Sequence, residues 1–157
     1  VSSTSSPAPP PPADLPAELF TGLDHVGYAV ADLDEALTLH TQTLGWRLEH
    51  RERNEEQGVE EAMLVTGDGG PDAARVQLLA PLGPDSPIAR HLQRRGPGVQ
   101  QVAYRVGDLE RVSAVLRERG FTLLHPSPRR GTAGSLINFV HPRDTGGVLL
   151  ELVQRPA

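Results

Sequence analysis

The sequence predicts an α+β fold of two tandem βαβββ modules whose strands form one curved mixed sheet around a central cleft. Three observations predict it. Apolar residues alternate along short β-branched runs bounded by Gly, Pro and Asn turns, the pattern of half-buried strands. One such run, Leu23-Asp24-His25-Val26-Gly27-Tyr28-Ala29-Val30, recurs as Val99-Gln100-Gln101-Val102-Ala103-Tyr104-Arg105-Val106, 76 residues on (101 − 25). The elements that follow each copy then come in the same order, which marks an internal duplication.

Residues 1–18 are rich in Ser, Ala and Pro, including Pro9-Pro10-Pro11-Pro12. They carry too little apolar bulk to offset their ordering entropy, so they read as a disordered tail. Residues 19–157 are expected to form a single domain, with module one over about 19–82, a linker over 83–98 and module two over 99–157.

In module one the first strand is predicted over 23–30. Asp32 then stands as an N-cap with Glu35 three residues on, and the helix it opens runs to Leu44 before Gly45 stops it. Strands follow over 46–51, 59–66 and 74–80, separated by Asn54-Glu55-Glu56-Gln57-Gly58 and Gly67-Asp68-Gly69-Gly70-Pro71. A short basic helix is expected over 88–95, and Gly96-Pro97-Gly98 breaks it. Module two repeats the scheme: strand 99–106, helix 108–119 ended by Gly120, then strands 121–125, 136–140 and 148–153. Five identities anchor the repeat, Val26, Tyr28, Val30, Asp32 and Leu33 against Val102, Tyr104, Val106, Asp108 and Leu109.

Bulk properties exclude several function classes. A formal charge of −5 argues against a nucleic-acid partner, because phosphate binding wants a basic surface. No apolar run reaches the roughly 20 residues of a membrane span, and no secretory h-region is present, so a cytoplasmic protein is expected. Zero cysteines rule out disulfides, thiolate metal sites and cysteine nucleophiles.

The repeat also sorts the polar residues. Arg75-Val76-Gln77-Leu78-Leu79 overlays Leu149-Leu150-Glu151-Leu152-Val153, 74 residues apart (151 − 77). Each module thus holds two polar positions on otherwise apolar strands, His25 and Gln77 in the first and Gln101 and Glu151 in the second. Packed about a pseudo-two-fold axis, these four positions converge on one point. One imidazole, one carboxylate and two amides can together ligate a divalent cation. A carboxylate such as Glu151 on an apolar strand also needs a cation or hydrogen-bond donors to offset its desolvation.

With these residues in place the chain resembles the vicinal oxygen chelate (glyoxalase-like) superfamily, and within it the methylmalonyl-CoA epimerases. The resembling segments include Asp24-His25-Val26-Gly27, Asn54-Glu55-Glu56-Gln57-Gly58-Val59-Glu60-Glu61 and Val76-Gln77-Leu78-Leu79-Ala80-Pro81-Leu82. Pro128-Arg129-Arg130-Gly131, Asn138-Phe139-Val140-His141-Pro142 and Gly146-Gly147-Val148-Leu149-Leu150-Glu151-Leu152 belong to the same set. The resemblance implies a metal-binding isomerase with a divalent ion (Co, Mn, Ni, Mg or Zn) at His25, Gln77 and Glu151 and a fourth ligand at Gln101. It implies Glu61 as a catalytic base and Glu151 as the acid/base of the opposite face. It further implies a small-molecule acyl thioester as partner and a homodimer.

The chain departs from the family at Gln100-Gln101, where the relatives have His-His. An amide oxygen is a weaker donor than imidazole for late first-row metals. Lower affinity, a shift toward harder metals or an empty site is therefore expected. The expected reaction is epimerisation at C2 of a methylmalonyl-CoA-like thioester through an enolate. Coenzyme A is anionic, so the basic clusters Arg129-Arg130-Gly131 and Arg90 to Arg95 are candidates for substrate binding. Two other functions fit the same residues. One is a relative acting on another acyl thioester or polyketide-type substrate as an isomerase, lyase or cyclase. The other is a non-catalytic small-molecule-binding module.

Overall fold

The structure, a computed structural model, describes residues 19–157; the tail expected over 1–18 lies outside the described residues. Those residues fold as β1 (Phe20–Ala29), α1 (Leu33–Thr38), β2 (Arg47–Asn54), β3 (Val59–Val65), β4 (Arg75–Pro81), α2 (Pro87–Arg95) and β5 (Gly98–Val106). They continue as α3 (Leu109–Glu118), β6 (Arg129–Arg130), β7 (Leu136–Val140) and β8 (Leu150–Gln154). The eight strands form one mixed sheet in the order β2-β3-β4-β1-β5-β8-β7-β6. Parallel pairs are β1 with β4 and β5 with β8, and the two modules meet at the antiparallel pair β1–β5.

The sheet curls until its two edges meet. Laid flat, eight strands would hold the edges about 34 Å apart at the usual strand spacing. Here Asn54 Nδ2 on β2 donates to the carbonyl of Arg130 on β6 at 3.4 Å, and Arg129 pairs with Glu56 at 3.1 Å. The concave face therefore wraps a cleft; α1 and α3 pack on the convex face, and α2 packs through Ile88 against Ala29, Val59 and Leu79 at the mouth of the cleft.

Period-two alternation decides which side chain goes where. Val76, Leu78 and Ala80 of β4 and Ala62 and Leu64 of β3 pack with Leu33 under α1. Leu150 and Leu152 of β8 pack against Leu109, Val112 and Leu116 of α3. The intervening residues, including Glu61, Gln77 and Glu151, turn to the cleft. The first module helix starts on the expected cap, Asp32 Oδ1 accepting from Glu35 N, and Asp108, expected inside the second helix, caps it instead, its Oδ1 accepting from Arg111 N, each at 2.9 Å. The first helix is shorter than expected in α form, since Leu39–Thr43 is a π-helical turn.

The strand expected over 121–125 is corrected by the structure. That segment makes an isolated bridge, Leu123 with Val140, and the regular strand on this edge of β7 is β6. The reason is Pro126 and Pro128, which lack the N–H a ladder needs. The Asn138 side chain stands in for part of the ladder, accepting from His125 N at 3.1 Å and donating to His125 O at 2.9 Å. Among the described residues no helix is long and apolar enough to cross a membrane.

Leu78 and Leu152 are equivalent in the repeat, and both are fully buried under their module's helix. Truncation of either to Ala is expected to cost about 2–5 kcal/mol in urea unfolding. A loss below about 1 kcal/mol at one of them would contradict equivalent helix-covered cores.

Candidate active site

The register of β1 against β5 builds the site. Val26 lies opposite Val102, flanked by His25 opposite Ala103 and Gly27 opposite Gln101. On the outer side of each strand Gly27 pairs with Gln77, and Ala103 with Glu151. Directly opposed residues share a face, so two rows cross the concave face: Gln77-Gly27-Gln101 and Glu151-Ala103-His25. A residue with little or no side chain sits in the middle of each row and leaves room above it. At Gly27 a Cβ would lie 2.5 Å from Cγ of Gln101, so any side chain there would displace Gln101.

All four polar side chains, and Glu61 on β3, are only 3–6% exposed. Glu61, Gln77, Gln101 and Glu151 form one hydrogen-bonded chain, with His25 beside its end. Gln77 Nε2 donates to Glu61 Oε2 at 2.8 Å. Gln101 Nε2 donates to Glu151 Oε2 at 2.6 Å and to Gln77 Oε1 at 3.3 Å. His25 Nε2 stands 3.2 Å from Glu151 Oε2, but its orientation leaves it without a hydrogen-bond partner. Its other nitrogen, Nδ1, meets Asp24 Oδ1 at 2.8 Å. Asp24 is in turn held by Arg155 Nε at 2.7 Å and Arg105 Nε at 3.1 Å.

Burial and neighbours set the protonation of this chain. Burial opposes the charge on Asp24, yet the bonds from His25 and Arg155 override it and hold the carboxyl well below its usual range. Burial also opposes a charged His25, but Asp24 and Glu151 raise its pKa to about 9. Glu61 moves the other way. Burial is the largest cause, and with Glu52 and Glu151 nearby it raises the Glu61 pKa to about 7, against the hydrogen bond from Thr132. A buried carboxyl poised near neutrality suits general-base chemistry.

The donor set fits a cation. Nδ1 of His25 faces Asp24, the usual way a carboxylate orients a ligating imidazole, so Nε2, once it gives up its proton, is the nitrogen that could meet a cation. Gln77 Oε1 and Glu151 Oε2 both face the Gln101 amide. The Gln101 amino group holds the place between them, and a half-turn of that amide presents its oxygen instead. Among the described residues no group of three His, Cys, Asp or Glu side chains is placed to hold a metal; this set has one His and one Glu, completed by two amides.

The site opens into a cavity of about 170 Å³ whose walls come from both modules, Val59 and Leu79 on one side and Ile137 and Phe139 on the other. Gly131 lines it as well. The side chains of Arg129 and Arg130 are exposed and face Glu56 at 3.1 Å and Glu52 at 3.8 Å.

The profile of the Glyoxalase/Bleomycin resistance protein/Dioxygenase superfamily matches residues 24–139. A methylmalonyl-CoA epimerase structure from Mycobacterium tuberculosis is 50% identical, covering 92% of this chain and 94% of that one, with a TM-score of 0.84. The chain belongs to the methylmalonyl-CoA epimerase family. A family structure in complex with methylmalonyl-CoA and NH4+ is 42% identical with a TM-score of 0.83, covering 88% of this chain and 96% of that one. The human mitochondrial methylmalonyl-CoA epimerase is 32% identical over 133 residues, 84% of this chain and 73% of the human protein.

Sequence reading missed two members of this epimerase-family site. Thr132 Oγ1 donates to Glu61 Oε1 at 2.6 Å and accepts from Gln77 Nε2 at 2.6 Å, so it ties Glu61 to the Gln77 row. It sits in the 3-10 turn Thr132–Gly134, where Ala133 takes the left-handed conformation at φ 51°. Asp24 was the other. The Asp24-His25 dipeptide was its available signal, since a strand normally sends neighbouring side chains to opposite faces; a register shift in the β1–β5 ladder between Leu23 and His25 lets the two meet.

The raised Glu61 pKa has a stability consequence. Such a group favours the folded state below its ordinary pKa, and that contribution is lost as pH rises through about 7. Glu61→Gln is therefore expected to raise the melting temperature of EDTA-treated protein more at pH 8 than at pH 5. An equal effect at both pH values would contradict a buried, raised carboxyl.

Proposed function

We propose that this chain is a methylmalonyl-CoA epimerase-like isomerase, moving the C2 proton of an acyl thioester through an enolate. The observation that carries the reading is the buried chain from Glu61 through Gln77 and Gln101 to Glu151, lining a cavity walled by both modules, with His25 3.2 Å behind Glu151. Such an arrangement is costly to fold unless chemistry uses it, because it buries two carboxylates within one network. The family relation supports the same reading.

The carbon between a thioester and a carboxylate bears a weakly acidic proton. Glu61, ionised over part of its population near neutral pH, takes that proton on one face. Thr132 and Gln77 fix the direction in which its oxygens point. Glu151 is assigned to the opposite face, where it returns a proton to give the other epimer. His25, Gln77, Gln101 and Glu151 would hold a divalent cation, which when bound supplies positive charge to offset the developing enolate. Apolar walls from Leu79, Ile137 and Phe139 limit water around the reacting carbon. Gly131 contributes backbone to the cavity wall, and the exposed Arg129 and Arg130 that precede it in the chain are assigned to substrate binding as neighbouring positive charge. The proposal includes the cytoplasmic homodimer expected from the sequence.

Incubation with methylmalonyl-CoA in deuterated water tests the reading. Metal-stimulated loss of the C2 proton is expected, reduced about 10²–10⁴-fold by Glu61→Ala. No exchange with any metal would overturn it and favour a different acyl thioester. Gln101→His is expected to tighten divalent binding in calorimetry, and an unchanged affinity would remove residue 101 from the ligand set.

A further inference from the structure

The proposed base is almost sealed from solvent. Glu61 is 4% exposed, and its two oxygens take hydrogen bonds from Thr132 and Gln77. Once an acyl group fills the cavity of about 170 Å³ in front of it, that side offers no route for protons. A base that removes a proton must release it before the next turnover, so a path to water is needed elsewhere.

Strand β2 provides one. Glu52 lies directly opposite Glu61 in the β2–β3 ladder, and opposed side chains share a face with Cβ atoms about 4.5–5.5 Å apart. The two carboxyls are close enough to share a proton as a hydrogen bond. The neighbouring pairs lie on the same face. Asn54 opposite Val59 lines the cavity already described. His50 opposite Met63 lines a second cavity of about 340 Å³, which meets the first at Thr132 and Glu151. The Glu52–Glu61 pair therefore stands between two chambers of the cleft.

From Glu52 the bonds continue outward. His50 Nε2 lies 2.7 Å from Glu52 Oε2, and the His50 side chain is 37% exposed against 16% for Glu52. With both carboxyls ionised, Glu52 Oε1 is buried without a hydrogen-bond partner. An unpaired buried carboxylate oxygen is costly, and a proton shared with Glu61 removes that cost. Glu52 is biased the other way from Glu61. Burial opposes its charge, yet the bonds from His50 and Glu61 hold it below its ordinary value, and Arg130 at 3.8 Å acts in the same sense.

We propose that Glu52 and His50 form a relay that carries protons between Glu61 and water in the second cavity, resetting the base while substrate closes the first. The proposal rests on Glu61 as the base of the proposed reaction. On export the O–H bond of Glu61 breaks as one forms on Glu52. The Glu52 carboxyl turns and yields that proton to Nε2 of neutral His50, which releases the proton on Nδ1 to water. One proton leaves Glu61 and one reaches water, and Glu52 and His50 regain their starting charges. Neither residue touches substrate; both act through Glu61.

Steady-state kinetics of the metal-loaded protein with methylmalonyl-CoA test the relay. Slow resetting limits turnover at high substrate without affecting capture of substrate by enzyme already reset. Glu52→Gln and His50→Ala are therefore expected to lower kcat about tenfold or more and to leave kcat/KM within about twofold. Imidazole in the buffer is expected to restore kcat in His50→Ala, where it takes the place of the lost ring, and not in Glu52→Gln. A parallel fall in kcat and kcat/KM, the mark of a displaced Glu61, would overturn the relay. So would unchanged kinetics, or a His50→Ala variant that imidazole does not rescue. The contact has a test that needs no activity. In infrared spectra at mildly acidic pH, the protonated carboxyl band that Glu61→Gln removes is expected to shift in Glu52→Gln. An unshifted band overturns the relay even where epimerisation is seen. A shifted band without epimerisation supports the relay and overturns only the assigned reaction.

Discussion

Between β1 and β5 the chain pairs with its own repeat, Val26 opposite Val102, and the rest of the molecule is arranged about that pair. Because the two modules are offset by 76 residues, the pairing is self-complementary: His25 meets the mate of Gly27, and Gly27 meets the mate of His25. The parallel partners β4 and β8 add Gln77 and Glu151 in the same rows. A one-residue slip would turn these side chains to the convex face and put Val26 and Val102 in the cleft. The apolar layers under α1 and α3 penalise that slip strongly, since Leu78 and Leu152 would leave their cores. Packing on one face therefore holds the chemistry on the other.

The polar face is stable for a different reason. Buried carboxylates are tolerated only when their remaining lone pairs find donors. Glu61 receives Gln77 and Thr132, Glu151 receives Gln101, and Asp24 receives His25 with two arginines. The two ends of the chain differ in character. At the Asp24 end the arginines hold a permanent charge, and at the Glu61 end burial makes charge expensive and the proton mobile. His25 Nε2, left without a hydrogen-bond partner, stands 3.2 Å from Glu151 Oε2. That polarity, a fixed anion behind the imidazole and a titratable carboxyl across the cavity, is what proton abstraction beside a cation requires.

Much of this was legible in the residues because duplication converts sequence spacing into geometry. His25, Gln77, Gln101 and Glu151 were grouped from the offsets of two strand pairs, and the structure brings the four together in one network. The first helix N-cap followed from Asp32, and Asp108, its mate in the repeat, caps the second helix. What stayed hidden depended on local backbone. Asp24 joins the site through a register irregularity, and Thr132 reaches it from an irregular turn in which an alanine is left-handed. The segment over 121–125 alternates like a strand, and only the downstream prolines and the Asn138 side chain show why it does not pair as one. The arginines of α2 were visible as a charge cluster, but not that they share a groove with the cavity.

The central claim is that residues from both halves of the repeat hold one cation beside Glu61. Crystals soaked in zinc and measured on either side of the zinc absorption edge test it most directly. The account predicts a single strong anomalous peak in the cleft, with His25 Nε2, Gln77 Oε1, Gln101 Oε1 and Glu151 at about 2.0–2.2 Å. A peak held by one module alone, or zinc bound elsewhere with the four side chains still bonded to one another, would contradict it.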